Sequence, residues 1–483
     1  MKQIMKLLLF TCALLLAACG SKDRVELPPE DGVLIYATLH PVTDDLTRSI
    51  EEFNEAHPDT QIEIRDYSDE GGRERLQIEL LLGQVPDIME LCCYGKAGKD
   101  VPKGLSQFLP GSYRGPEDGY FMPYRQMAQK GYLEDLWPWI ENDPELGRGA
   151  VLEAPLKSAE VNGGLYMLFE RVDIFTLTGR ASVVGERYSW TLEDMMDIYA
   201  AMPEGSTIMR YNMTKHDVFY NLLCNSLEEF VDRETGECSF DSEKFLALVG
   251  FLETLPDEAD DEKAWEAEEN VIRRIKDGTQ MLEGMQISWP RDICHSDSVF
   301  QERAAFVGYP TGDGSSGSFF HLTGTVLAMS STCRNKEAAW DYIRQLITPR
   351  LRKNERSFLA DANRNRLCNT PVSLNDYEAL CWYELRYVAD TIRLHPDDPL
   401  EWLVTKQHFQ YGPEIYFMDF LTEKDLQRHR ELIDHTTRLF WPEDDLADIV
   451  WMTLGSYFAG DRTLDDTIGL IQNRVTIYIN EQK

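Results

Sequence analysis

The sequence predicts an α/β protein on a largely parallel sheet, finished by a helix-rich C-terminal part. Three observations carry this. The chain opens strand, amphipathic helix, strand; residues 350–455 are rich in Leu, Trp and Tyr and read as mostly helical; and the last residues keep one apolar face to the end. At roughly 100–200 residues per domain, a chain of 483 residues holds two to four domains or one large two-lobed unit.

The elements follow in order. Val33 to Leu39 is a compact apolar run, a buried strand. Asp44 and Asp45 then open a helix, with Leu46, Ile50 and Phe53 on one face and Glu51, Glu52 and Glu55 pointing out; Pro58 stops it. Gln61 to Tyr67 alternates Ile62 and Ile64 with Glu63 and Arg65, a second strand. Leu76 to Leu82 is helical and Gly83 ends it. Pro86 to Leu91 is a third strand. Met127 to Ile140 reads as helix, turn and short helix, and Gly163-Gly164 marks a turn between extended pieces. Ala304 to Tyr309 and Gly324 to Met329 look like strands, and Lys336 to Ile347 like a helix. Thr463, with Asp466 three residues on, caps a last helix whose face is Leu464, Ile468, Ile471, Val475 and Ile479. Such a face needs a groove to lie in.

Composition excludes several functions. Lys and Arg number 48 against 83 Asp and Glu, a formal charge of −35. A pI near 4.6 argues against a phosphate-backbone binder and against a polybasic membrane patch. Hydrophobic content of 43% is enough for real cores, so disorder is excluded for most of the chain. The acidic run 253–269 follows no calcium-loop spacing and reads as a solvated face.

The N-terminus is an export signal. Lys2 and Lys6 precede an apolar run, Leu7 to Ala18, about 18 Å of helix, too short for a hydrocarbon core of about 30 Å. Leu16-Ala17-Ala18-Cys19-Gly20 looks like a bacterial lipobox, which implies acylation of Cys19 and a cleaved signal 1–18. Residues 19–32 read as a tether. Of the cysteines left, most should be free buried thiols, with Cys224–Cys238 the one pairing considered.

Several segments resemble the family 1 extracellular solute-binding proteins of ABC importers, the maltose-binding-protein-like group. Phe53-Asn54-Glu55-Ala56-His57-Pro58 is similar to the family's first-helix ending, and Gly83-Gln84-Val85-Pro86-Asp87-Ile88 to its G-x-x-P-D-I. Gly131 to Leu136 resembles G-x-L-x-D-L. Gly164 to Leu168 resembles G-x-x-Y-x-x-P, with Phe169 where Pro is usual. Asn335-Lys336-Glu337-Ala338-Ala339-Trp340 and the run from Tyr457 to Glu481 are similar to the family's late segments. Residues 92–126 look like an insertion, and 350–440 is long.

The resemblance implies a two-lobed periplasmic-binding-protein-like fold (type II) with a hinge between lobes. Lobe 1 would be 33–168 and 318–349; lobe 2 would be 169–317 and 350–483. Crossings are expected near Leu168–Phe169, Gly312–Ser318 and Thr348–Arg350. In an open α/β sheet ligands sit beyond the carboxyl ends of the strands, and a solute touching both lobes stabilises the closed form.

A sugar needs aromatic platforms and fixed hydrogen-bonding groups. Trp289 is the leading platform, in a segment similar to one that faces the family's cleft, with Arg291 and Asp292 as polar partners. Thr38 and His40 end the first strand, Tyr94 follows the third, and Tyr309 and Phe320 flank the second crossing. Gly312 to Gly317 matches G-x-G-x-x-G but leads toward a strand, so a loop is expected there. His429 and His435 stand six apart, the wrong spacing for zinc on one helix face. No metal site, cofactor or catalytic motif is expected.

The expected function is a lipid-anchored, extracytoplasmic receptor, monomeric and without catalysis. It would capture a small solute, most often a mono- or oligosaccharide in this family, and deliver it to ABC permease subunits. The alternatives are a surface-anchored enzyme acting on glycan and a lipoprotein of the same fold that binds a protein partner.

Overall fold

A computed structural model describes residues 32–69, 71–91, 124–209, 214–233, 235–257, 271–311, 314–315, 317–349, 369–394, 408–411, 414–440 and 446–482. The signal segment, Cys19, Tyr94, most of the 92–126 insertion and most of the acidic run lie outside the described residues.

The strands in chain order are β1 (Val33–Thr38), β2 (Gln61–Asp66), β3 (Ile88–Glu90), β4 (Leu168–Arg180), β5 (Leu282–Ile287), β6 (Ala304–Phe306), β7 (Phe319–Met329), β8 (Thr370–Pro371), β9 (His408–Tyr411), β10 (Glu414–Phe417) and β11 (Arg438–Leu439). One sheet runs β2-β1-β3-β7-β4-β5, with β6 and β8 added to β4 and β11 to β7. The opening unit forms for the reasons its sequence gives. Thr43 Oγ1 accepts from Leu46 N at 3.2 Å and caps the helix Asp44–Ala56. Ile50 and Phe53 are buried beneath that helix. The Asn54 side chain then binds both polar groups of Ile62, fastening helix to strand. β1 pairs in parallel with β2 and β3, while β3 meets β7 antiparallel.

Two large hydrophobic cores share this sheet. The first gathers Leu34, Tyr36, Phe53, Ile88, Trp137, Leu165, Trp340 and Ile343. The second gathers Trp190, Phe219, Phe240, Phe245, Leu282, Val450 and the C-terminal face Ile468, Ile471, Val475 and Ile479. The last helix (Leu464–Gln482) therefore docks as its periodicity requires. Val372, Tyr377, Leu432, Ile433 and Leu439, late in the chain, pack in the first core.

β4 and β7 belong to both cores, and their residues show how. Successive strand side chains point to opposite faces. In β4 the buried apolar positions Val172 and Ile174 serve the first core, whereas Phe175 and Leu177 serve the second. The apolar phase thus slips by one between Ile174 and Phe175. In β7 it slips between Phe319, second core, and Phe320, first core. The two slips are in register: Ile174 pairs with Phe320 and Phe175 with Phe319. The buried side of the ribbon changes face there.

Three expectations are corrected. The sheet is not largely parallel, since β3 meets β7 antiparallel and every pairing of β4 is antiparallel. The stretch 350–455 is mostly helical among the described residues, as expected, but it also carries β8, the β9–β10 hairpin and β11. Sheet edges capture these segments: Val372 N donates to Glu170 O at 2.9 Å and Phe440 N to Phe320 O at 2.8 Å. Cys238 is a free thiol, 3.6 Å from Thr476 Oγ1, so the Cys224–Cys238 pairing fails. The strand Gly324–Met329 begins earlier, at Phe319.

Candidate functional site

Strand register locates the site. β1, β2 and β3 stop at Thr38, Asp66 and Glu90, while β4 and β7 run on toward the second core. Glu90 lies opposite Leu327 of β7, and β3 points toward Gly324, Thr323 and His321. At roughly 3.3 Å per residue, Thr323 lies about 13 Å beyond that tip. The exposed ends of the parallel strands thus look along the continuing β4–β7 ribbon, the position where α/β sheets take ligands.

One face of that ribbon is polar and covered. Arg171 pairs with Thr323 and Asp173 with His321, so all four side chains share a face. The register slips between Phe169 and Arg171, opposite Gly324. Gly324 adopts φ +80, and a side chain there would press within 3.2 Å of both Arg171 and Glu170. Asp173 is 1% exposed. Its carboxylate accepts from Gln286 Nε2 at 2.7 Å and from the Asn369 amide. Burial raises its pKa, and these amides only partly offset that. His321 is also buried, which lowers its pKa to about 4 and keeps the ring neutral near pH 7. Thr323 is 6% exposed and its Oγ1 has no hydrogen-bond partner among the described residues.

Beside Asp173 stands the corner that leads from β5 into the helix Asp292–Phe300. Asp292 Oδ2 accepts from Ser288 N at 2.7 Å and Trp289 N at 2.8 Å, folding the corner back on itself. Burial pushes Asp292 up to about 6; the two backbone donors and Arg291 oppose this, and the Asp173 charge adds to it. Arg291 lies over the Trp289 ring, 5.2 Å from its centroid, and its Nη2 meets Glu384 Oε1 at 2.6 Å. Thr370 Oγ1 donates to Ser288 O at 3.0 Å, and Arg428 grips Asp297 further along the helix with two bonds of 2.6 and 2.9 Å. The half-buried Trp289 is therefore held on a braced turn. At the β1 tip, Thr38 Oγ1 donates to Glu90 Oε2 at 2.6 Å and accepts from His40 N at 3.1 Å.

The structure brings Trp289, Arg291 and Asp292 together with Asp173, and leaves Thr38 and His40 at the neighbouring strand tip. Tyr94 lies outside the described residues. Two candidates are corrected. Phe320 has no exposed surface and fills the first core; Tyr309 is buried in the second, stacked on Phe319 with ring centroids 5.1 Å apart. The apolar burial that makes the crossing removes both rings from any surface. Sequence reading missed Asp173, His321, Thr323, Gln286, Asn369, Glu90 and Glu384. For Asp173 a signal existed: one acid inside the apolar run Val172-Asp173-Ile174-Phe175.

The other motifs resolve plainly. Gly317 leads into β7 and not into a helix, and a side chain on it would collide with the Tyr309 carbonyl. His429 is buried, its Nδ1 3.0 Å from the Tyr377 hydroxyl, and His435 bonds Glu431 O at 2.7 Å. Among the described residues no group of His, Cys, Asp and Glu could hold a metal ion. None of their helices is long and apolar enough to cross a membrane.

No family model and no curated protein matches the chain. Many solved structures do, and many of them are solute-binding proteins. The sugar-binding protein MalE from Xanthomonas citri is 12% identical, with a TM-score of 0.49 over 93% of this chain and 98% of that one. A periplasmic oligogalacturonide-binding protein from Yersinia enterocolitica is 11% identical, with a TM-score of 0.49 over 93% and 99%. An extracellular solute-binding protein family 1 member from Alicyclobacillus acidocaldarius is 11% identical, with a TM-score of 0.46 over 94% and 100%.

Proposed function

We propose that this protein is a solute receptor that closes its two halves over a saccharide and delivers it to an ABC importer. The observation that supports it most is the crossing. Two paired strands change cores at one register position, and directly before it they carry Asp173, His321 and Thr323 on a covered polar face. β5 and β6, paired with β4, also reach both cores, so the halves would rotate about this group of paired strands. A solute that touches both halves then stabilises the closed arrangement by its differential contacts. No covalent step is needed. In this reading Trp289 supplies the flat apolar platform for a sugar ring, and the polar groups around it fix the hydroxyls.

The site residues of this reading are Trp289, Arg291, Asp292 and His40, joined by Asp173 and Thr323; Thr38, expected to line the cleft, has no exposed surface and instead holds the Glu90 carboxylate. Cys19 carries the lipid and holds the protein on the outer face of the cell membrane. The lobes divide near the crossing, and the ABC permease subunits recognise the closed form.

A thermal-shift screen of the chain against mono- and oligosaccharides tests this. A binder raises the melting temperature in proportion to ligand excess over Kd. Trp289→Ala should then weaken the binding saccharide by about 2 kcal/mol, read by titration calorimetry. A screen flat across all saccharides, with sugar released from a glycan, would favour the enzyme alternative instead.

A further inference from the structure

The charges around the ribbon differ in how they are matched. Both arginines at the site already face glutamates. Arg171 Nη2 stands 3.4 Å from Glu170 Oε2, and Arg291 Nη2 stands 2.6 Å from Glu384 Oε1. Three carboxylates have no such partner. Asp173 is held by the Gln286 and Asn369 amides, Asp292 by two backbone N–H groups, and Glu90 by the Thr38 hydroxyl. None of the three forms an ion pair among the described residues. Asp173 and Asp292 lie close enough for each charge to act on the other.

Asp173 is buried, and Asp292 and Glu90 are half-buried; carboxylates withdrawn from water without a cation are costly, and a fold that keeps them retains that cost in the free protein. Burial raises the pKa of both Asp173 and Asp292, and the nearby Arg171 and Arg291 charges offset this only in part. An anionic solute entering here would meet these carboxylates while both arginines are engaged elsewhere. A cationic one would supply what they lack. Two further features point to the same guest. Trp289 already accepts one cation over its ring, that of Arg291, and an indole face favours another. Thr323 Oγ1, nine-tenths buried and on the Asp173 face, has a hydroxyl to offer a polar guest.

Resting on the receptor reading above, we infer that the solute is an amine-bearing saccharide, its ammonium received by Asp173 and Asp292 and its hydroxyls by groups that include Thr323. The same arrangement rejects uronates and sugar phosphates, because specificity follows as much from repelled ligands as from attracted ones.

Three tetrasaccharides test this on the full chain by calorimetry: β-1,4-linked glucosamine, its fully N-acetylated form, and oligogalacturonate. The glucosamine tetramer should bind at least about tenfold more tightly than the acetylated one, and added salt should weaken it more. Oligogalacturonate should give no heat. Asp173→Asn and, separately, Asp292→Asn should each reduce glucosamine-tetramer affinity by about tenfold and acetylated-tetramer affinity by clearly less, so that the preference for the amine form and its salt dependence fall. Melting curves of the two variants identify any that fails to fold, and the salt dependence of the unsubstituted chain decides the matter without them. Equal affinity for the amine and acetylated forms, or preference for oligogalacturonate, overturns the charge assignment and leaves solute capture standing. No response to the three while another saccharide binds does the same. No response to any saccharide overturns both.

Discussion

Buried hydroxyls lie on both sides of the crossing in β4 and β7, and the two sides treat them differently. Toward the second core, Thr178 Oγ1 donates to Glu283 O at 2.9 Å and Ser318 Oγ to Thr176 Oγ1 at 2.8 Å; Thr176 and Thr178 have no exposed surface. Toward the first core, Thr323 is 6% exposed and its Oγ1 has no partner among the described residues, and Asp173 is held by amides with no ion pair among them. The same two strands thus hold polar groups matched within the fold and polar groups that are not. Matching costs nothing further in the folded chain, whereas an unmatched buried group costs about 1–3 kcal/mol. In the receptor reading proposed above, the unmatched groups beside Asp173 would face the solute.

The strongest way to break the comparison is to damage the crossing that both sides share. Phe320→Ala should lower stability by about 3–5 kcal/mol, measured by urea unfolding, since it empties a fully enclosed site next to Ile174. Acid acts next. His321, lowered to about 4, binds fewer protons folded than unfolded (about 6.5 in the open chain), so it loses stability as pH falls through that window, on the order of 3 kcal/mol. Asp292 works the other way: raised to about 6, it binds more protons folded and gains stability as pH falls below that value. Melting temperature should therefore drop between pH 7 and 5, less in His321→Gln and more in Asp292→Asn. The smallest effect separates the two sides most cleanly. Thr178→Val should cost about 1 kcal/mol of stability, because it strips a bond from Glu283 O, and leave saccharide affinity alone. Thr323→Val should leave stability unchanged or slightly higher and weaken the saccharide. Equal behaviour of the two valine variants would erase the distinction.

How far the sequence reveals this depends on the distance between a residue and its cause. The β1–helix–β2 opening is legible because period, cap and stop are local: Thr43 before Leu46, Ile50 and Phe53 on one face, Pro58 after. The C-terminal helix is legible for the same reason. The crossing is not, because Ile174-Phe175 and Phe319-Phe320 read as plain apolar pairs until strand register shows that their phase slips align. β8 and β11 are two residues each and exist only because β4 and β7 offer them an edge. Trp289, Arg291 and Asp292 could be found as a local cluster; Asp173 stands out only as one acid in an apolar run, and its place beside them is not legible, since its neighbours Gln286 and Asn369 come from distant parts of the chain.

Small-angle X-ray scattering measures the closing motion directly, on the chain with and without the saccharide that raises its melting temperature most. Rotation of the two cores about β4 and the strands paired with it should make the bound form more compact, with a smaller radius of gyration than the free form. An identical radius in both, with calorimetry showing the saccharide bound, would contradict closure over a solute.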